Sequence, residues 1–425
     1  MDTLAQLPSG WAALFWGVLT FSILVVVHEG GHFLMARLFR VKVHEFMVGL
    51  PGPALRVRSR RSGTRYGVTA LPLGGYVRIA GMEPGAEDEL LGPALASAVR
   101  RGRTDASSLA VELGVPQERA QALVTTLADW GAIEETPAGF DHVPAPSLPA
   151  DLPAPELLDR ARSSTYRGLK TWQRVALLAN GVLFNLLTAV LIFTVTLAVW
   201  GYEVPSLKLD SVVKGGGAAA AGIRAGDRIT ALDGKRLSEW PDLIAALATR
   251  KLGEIVPVTY VRGSKSFTAR VTLRGTAKKA LLGVGGGLET KRFTVPQALR
   301  ESLTWTGMVF VAIAGFFNPS SFAASVQGAR SVVGISYEVA RAAQAGPVQY
   351  AWMIAFLSLS LGAVNILPLP PLDGGKIALE LVESIRRRPL RRELSYALSA
   401  LGAVLLFSLV FYLMYADVMS YVVKG

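Results

Sequence analysis

The stretch Phe21-Ser-Ile-Leu-Val-Val-Val-His28-Glu29-Gly-Gly-His32-Phe-Leu-Met sets two histidines and a glutamate inside an apolar run. On a helix, His28 and His32 stand one above the other on a single face, where both imidazoles reach one zinc ion, and Glu29 projects beside them. A carboxylate in that place is poorly aimed to bind the same ion, but it can take a proton from a water whose pKa the metal has lowered. So short a pattern on a soluble helix reads equally well as a solvated polar face. Within a membrane segment the balance changes, because each ionisable group costs about 2.5–3.5 kcal/mol on insertion scales, and three in five residues call for a partner ion.

The rest of the chain supplies that membrane context. Its 425 residues are 51% hydrophobic, which fits a polytopic membrane protein with inserted soluble parts better than one soluble domain. There is no cysteine, which excludes disulfides, iron–sulfur clusters and a thiolate zinc site, so any zinc is held by His, Asp or Glu. The net charge of +12 is unevenly spread: residues 86–162 carry thirteen acidic and six basic side chains, net −7. The basic excess gathers beside apolar segments, at Arg37 to Lys42, Arg56 to Arg65, Arg160 to Arg174 and Arg386 to Arg392. The positive-inside rule makes these cytoplasmic flanks and argues against nucleic acid as their partner. Met1 to Gly10 holds no Lys or Arg and lacks the charged start of a signal peptide. Residues 1–42 are therefore read as a retained first transmembrane helix, spanning from residue 11 and entering from outside.

Residues 43–86 alternate apolar and polar side chains between glycines and prolines and are expected to form a membrane-associated β-hairpin, with Gly74, Gly75 and Tyr76 at a turn beside the site. An ordinary cytoplasmic hairpin is the alternative. Residues 87–143 read as helices at Glu89 to Arg100, Ser107 to Leu113 and Pro116 to Trp130 followed by a two-stranded wing, and the stretch resembles a winged-helix module. Its would-be reading helix carries Glu118, Arg119 and Asp129 and so presents no basic face, which favours contact with protein, including a second copy, over DNA. Residues 144–165, with five prolines up to Pro155, are expected to be a stiff linker. Residues 166–201 hold the second transmembrane helix, whose Asn180-Gly181 and Asn185 are expected to bond a partner helix. Within 203–290 the run Ala219-Ala-Ala-Gly222-Ile-Arg-Ala-Gly226-Asp227-Arg-Ile-Thr-Ala-Leu-Asp233-Gly234 resembles the core of bacterial PDZ domains, which implies binding of a peptide or a substrate ectodomain at a sheet edge. Its Gly/Ala-rich start, Lys214 to Ala221, departs from that pattern and leaves steric gating as the competing role. Residues 291–345 are expected to lie on the membrane surface or re-enter it, and 346–425 to hold the third and fourth transmembrane helices.

Two histidines leave a zinc short of one protein ligand if one position stays open for water. The end of the third span, Asn365-Ile-Leu-Pro-Leu-Pro-Pro-Leu-Asp373-Gly-Gly, stops a helix with prolines and turns it with glycines, so Asp373 projects back toward the depth of His28 and His32. On its own this would be an Asp-Gly turn after a helix. Together the two motifs closely resemble the site-2 protease family of intramembrane zinc proteases, in its RseP-like bacterial branch, across most of the chain. The resemblance implies zinc ligation by His28, His32 and Asp373, Glu29 as general base, and Asn365 as a group that holds substrate or stabilises the tetrahedral intermediate. It also implies hydrolysis of a peptide bond in or beside a substrate's transmembrane helix, with anti-sigma factors and signal-peptide remnants among the substrate classes. The expected fold is an α-helical membrane protein with four spans, a β-hairpin, a PDZ domain and the insert. The expected setting is the inner (plasma) membrane, with both termini and the PDZ domain outside and residues 87–163 cytoplasmic. The rival readings are a non-proteolytic scaffold that recruits partners through the two soluble modules, and a membrane-tethered regulator.

Overall fold

The apolar run around the histidine pair folds as one helix, α1 (Gly10–Leu38), capped by Ser9, whose hydroxyl accepts from the Ala12 N–H at 3.3 Å. Its buried residues Ala13, Gly17, Thr20, Leu24, His28, Gly31, His32 and Ala36 recur at three- and four-residue spacing, so they form one face. The small side chains on that face let neighbouring helices approach closely, the packing mode of helices in lipid. The computed structural model describes residues 9–72, 74–82, 87–136, 141–145, 147–149, 151–276, 279–318, 320–321, 325, 330–388 and 390–419. It divides into two units, Met1–Thr194 with Leu299–Gly425, and Val195–Ala298.

In the first unit, strands β1 (Val43–Val48), β2 (Ala54–Arg58), β3 (Arg65–Thr69) and β4 (Gly75–Ile79) form one sheet in the order β2-β3-β1-β4. The expected hairpin is present as β2 and β3, paired antiparallel, but β1 adds to it in parallel and β4 joins β1 antiparallel. Gly75 and Tyr76 therefore open a strand, opposite Val48 and Met47, and do not sit in a turn. Gly74 alone, at φ +92°, supplies the turn. Adjacent glycines hide the two-residue period by which a strand is recognised, which is why this edge strand reads as a loop.

The acidic insert folds as α2 (Leu91–Arg101), α3 (Ala106–Leu113), α4 (Gln117–Asp129), the strand pair β5 (Ile133–Glu135) and β6 (His142–Pro144), and α5 (Ala154–Ser163). The tip of the expected wing, 137–140, lies outside the described residues. Leu95, Leu109, Leu123, Leu127, Trp130 and Ile133 share one core. The segment expected to be a stiff linker differs: Ala145, Leu148, Leu157 and Ala161 are buried in that same core. Pro153 and Pro155 open α5, where a missing N–H costs nothing, so the prolines start a helix where a stiff coil was expected. Asp129 ties the insert to the sheet, since Oδ2 accepts from the Gly81 N–H at 2.8 Å, Oδ1 pairs with Arg78 at 3.4 Å, and its carbonyl accepts from His44 Nε2 at 2.5 Å.

The chain continues through α6 (Thr171–Val199), and α9 (Val295–Ala314), α10 (Val332–Ala345), α11 (Pro347–Asn365), α12 (Asp373–Arg386) and α13 (Arg392–Val418) follow the second unit. Among the described residues, four helices are long and apolar enough to cross a membrane: α1, α6, α11 and the stretch Glu393–Tyr415 of α13. Trp305 of α9 packs its ring 5.4 Å from Phe193 of α6 and 4.9 Å from Trp352 of α11. Glu380 of α12, buried, accepts from the Tyr166 hydroxyl at 3.1 Å and pairs with Arg174 of α6 at 2.8 Å, which fixes α12 against the start of α6.

The second unit holds β7 (Tyr202–Val212), the short helix α7 (Gly217–Ala220), β8 (Arg228–Leu232), β9 (Lys235–Arg236), α8 (Trp240–Ala248), β10 (Ile255–Arg262), β11 (Lys265–Thr272), β12 (Arg274–Thr276), β13 (Lys279–Leu281) and β14 (Val284–Lys291). Its main sheet runs β11-β10-β8-β7-β14, with α8 covering a core of Ile229, Leu243, Val258 and Val271. Asp227 anchors the turn into β8: it accepts from Arg262 Nε at 2.7 Å and from the Arg224 N–H at 2.8 Å. The Arg262 hydrogen bond is the chief influence holding its carboxyl below the usual range.

Candidate metal centre

One turn of α1 separates His28 from His32, and their Nε2 atoms lie 3.3 Å apart. The start of α12 brings in Asp373, whose Oδ2 lies 2.9 Å from His28 Nε2 and 3.1 Å from His32 Nε2. All three residues are buried, and among the described residues they form the group able to hold a metal ion. A tetrahedral zinc with bonds of about 2.0–2.1 Å needs its donors about 3.3 Å apart, so a triangle of this size and chemistry fits zinc with a fourth position left for water. The carboxylate is committed to one oxygen, because Asp373 Oδ1 accepts from Lys376 Nζ at 3.1 Å, one turn along α12.

Ligation also requires that each imidazole carry its proton on Nδ1. His32 meets this directly: its Nδ1 lies 2.9 Å from the Leu177 carbonyl, which can only accept. For His28 the neighbour is the Asn185 amide, 3.2 Å from Nδ1. Asn185 Oδ1 is buried without a partner, and a half-turn of the amide exchanges two groups of equal size and lets Oδ1 accept from Nδ1–H. That leaves the lone pair of His28 Nε2 available to a metal ion. Asn185→Leu, of similar volume but without the acceptor, is expected to weaken zinc affinity by about 10–100-fold in a chelator competition while the chain stays folded.

Helix α6 reaches these residues because the crossing is built from glycine. A Cβ on Gly181 would lie 2.9 Å from His28 Cε1, and one on Gly31 2.8 Å from the Asn180 carbonyl carbon, so any larger residue pushes the helices apart. Asn180 locks the same crossing by donating from Nδ2 to the Gly31 carbonyl at 2.7 Å. Both asparagines thus bond the partner helix, as their position in the second span implies.

Glu29 stands outside the donor triangle. Its Oε2 accepts from the backbone N–H of Val77, in β4, at 3.0 Å. Tyr76 turns its hydroxyl to Glu45 Oε2 at 3.0 Å, and burial is the leading cause that raises its pKa. Asn365 ends α11, half-buried, with no side-chain hydrogen bond to another described residue. Sequence reasoning missed Lys376, Val77, Gly31 and the Leu177 carbonyl. The spacing of Lys376 three residues after Asp373 was a usable signal for the first, but a backbone amide or carbonyl leaves none.

The sequence profile of Peptidase family M50 matches residues 16–409. A protein of Streptococcus pyogenes serotype M6 that carries a zinc metalloprotease name is 29% identical over 422 residues, covering 95% of this chain and 97% of its own. A protein of Enterococcus faecalis named as the protease eep is 27% identical over 405 residues, with 91% and 93% covered. Among solved structures, a PDZ domain of an SdrC-like protein from Listeria monocytogenes aligns with 20% of this chain and 86% of its own, at 26% identity and a TM-score of 0.17. With the profile running from the first span into the fourth, the chain belongs to peptidase family M50, the site-2 protease family of intramembrane zinc metalloproteases.

Proposed function

We propose that His28, His32 and Asp373 hold the catalytic zinc, that Glu29 is the general base, and that the bond cut lies in or beside the transmembrane helix of a membrane-protein substrate. The observation that carries this is the convergence of two histidines and an aspartate, the aspartate 341 residues beyond His32, with a carboxylate beside them that binds none of them. The zinc, when bound, supplies a Lewis acid next to the scissile carbonyl and makes a bound water easier to deprotonate. Glu29 takes that water's proton and later delivers it to the departing amine nitrogen. Asn365, with its amide uncommitted at the end of α11, donates to the carbonyl oxygen as negative charge builds there. The substrate must be extended to expose its backbone, and the outer edge of β4, next to Glu29, supports pairing with it as an added strand. Gly74, Gly75 and Tyr76 then frame the start of that edge. The test is hydrolysis of single-span reporter proteins by the purified zinc-loaded chain. Cleavage outside the reporter's membrane segment and its flanks would overturn the assignment of the bond.

The basic flanks support an inner-membrane protein with both termini and residues 203–290 outside and residues 87–163 in the cytoplasm. Reporter fusions at residues 120 and 260 are expected to report opposite sides, and the same side for both would refute this topology. Residues 203–290 are read as a PDZ domain, a docking place for peptide or substrate ectodomain. The winged-helix reading of 87–143 supports a protein contact, to a second copy or to the substrate's cytoplasmic tail, because the net charge of 86–162 is −7. Deleting residues 90–142 is expected to leave about one zinc per chain, since no donor lies there, and to change self-association or substrate choice. Sequence-specific duplex binding by the protein at physiological salt would instead revive the tethered-regulator reading.

A further inference from the structure

Strand β4 is an edge strand, and its backbone alternates. Gly74 accepts through its carbonyl from the Gly49 N–H at 2.8 Å, and the Ala80 N–H reaches the Lys42 carbonyl at 3.0 Å. Even-numbered residues therefore turn their amide groups toward β1, and Gly75, Val77 and Ile79 turn theirs outward. The outward N–H of Val77 is the one that donates to Glu29 Oε2, and the Glu29 carboxylate makes no other hydrogen bond among the described residues. The general base is thus tethered to the very amide that an incoming strand needs at the middle of this edge.

We propose that the Val77 amide is a positioning group that holds Glu29 in a resting place, and that a substrate strand pairing with β4 displaces Glu29 from it and so frees the base beside the scissile bond. This rests on the strand-addition reading given above. In the resting enzyme the carboxylate accepts a charge-assisted hydrogen bond, which fixes its position and diverts one oxygen from water. When a substrate carbonyl takes over the Val77 N–H, strand pairing and release of the base become one event. A helical or poorly seated peptide does not trigger it. Water in the site is then activated chiefly when an extended substrate is in place, a form of induced fit that ties hydrolysis to correct docking.

Competition makes a prediction that a merely structural bond does not. Both proteins compared are inactive, zinc-loaded and in detergent: Glu29→Gln, whose amide oxygen still accepts from Val77, and Glu29→Ala, which leaves the edge amide free. The probe is a fluorescent eight-residue peptide of alternating Val and Thr, with a control methylated on the amide nitrogens of its pairing edge. Anisotropy titration is expected to give about fivefold tighter binding to Glu29→Ala than to Glu29→Gln, the scale of one net hydrogen bond, and no such gain for the methylated control. Equal affinity within twofold overturns the proposal. Val77→Pro separates this failure from failure of the strand-addition reading. Proline is tolerated where the N–H points away from the ladder, so β1 pairing survives, but in the Glu29→Ala background, where the edge amide is free, the substitution should weaken the unmethylated peptide. If Val77→Pro changes nothing, the edge does not take a strand at all and both readings fall. If it weakens binding while Glu29→Ala and Glu29→Gln stay equal, only the tether is refuted. Should Val77→Pro fail to retain zinc, the comparison of the two Glu29 variants with the paired peptides still decides.

Discussion

Glu29→Gln is expected to keep about one zinc per chain and to cut kcat/KM on a single-span substrate by about 10²–10⁴-fold, the usual worth of a positioned general base. The glutamine fills the same volume and its amide oxygen still accepts from the Val77 N–H, so its place beside β4 is kept. None of the three donors touches Glu29 through a hydrogen bond, so metal retention is not at risk from the exchange. What is lost is the ability to take a proton near neutral pH. The measurement pairs zinc content, by atomic emission on the purified protein, with cleavage of a reporter in the same preparation. Loss of zinc along with activity would make Glu29 a ligand, and activity within tenfold of the parent would remove it from the mechanism. A scaffold that performs no proteolysis predicts no difference between the two proteins in any reporter cleavage.

Much of the proposed centre is legible in the amino-acid sequence, and the reason is local. His28, Glu29 and His32 sit on one helix, so their relative directions follow from the helical repeat alone. Asp373 is readable by chemical need, because two imidazoles leave a zinc one protein ligand short and the Pro/Gly turn after the third span supplies a carboxylate. The helices and strands of the insert are likewise legible from their caps and apolar spacing, down to the buried Leu109, Leu123 and Leu127. What stays hidden is made by backbone or by distant pairing. Val77 and Leu177 act through an N–H and a carbonyl that every residue owns. Strand β4 depends on pairing with β1 some thirty residues earlier, and its opening glycines mask its period. The prolines of 144–155 misled because proline serves equally to stiffen a coil and to open a helix, and only the burial of Leu157 and Ala161 separates the two.

Asp373→Ala is expected to reduce zinc affinity by more than about a hundredfold, beyond the 10–100-fold range for loss of a group that merely supports a ligand. The truncation leaves two neutral imidazoles and removes the anionic donor, whose charge offsets that of the cation in a dry site. It also strands Lys376, whose Nζ loses the Oδ1 partner at 3.1 Å and then stands as an unpaired cation beside the site, repelling a divalent ion. Both effects act in the same direction, so occupancy after purification in the presence of a mild chelator should fall from about one to near zero. His28→Ala and His32→Ala should behave alike. Asp373→Asn is the sharper control, because it keeps the size and one acceptor oxygen while deleting the charge, and it should retain more zinc than alanine but less than the parent. Lys376→Met addresses the remaining question of the free oxygen. With Oδ1 released, the carboxylate can rotate or bind through both oxygens, which predicts a milder loss of affinity within the support range. Full zinc retention by Asp373→Ala would remove α12 from the metal centre and require a third donor that none of the buried His, Asp or Glu side chains among the described residues brings within reach of His28 and His32.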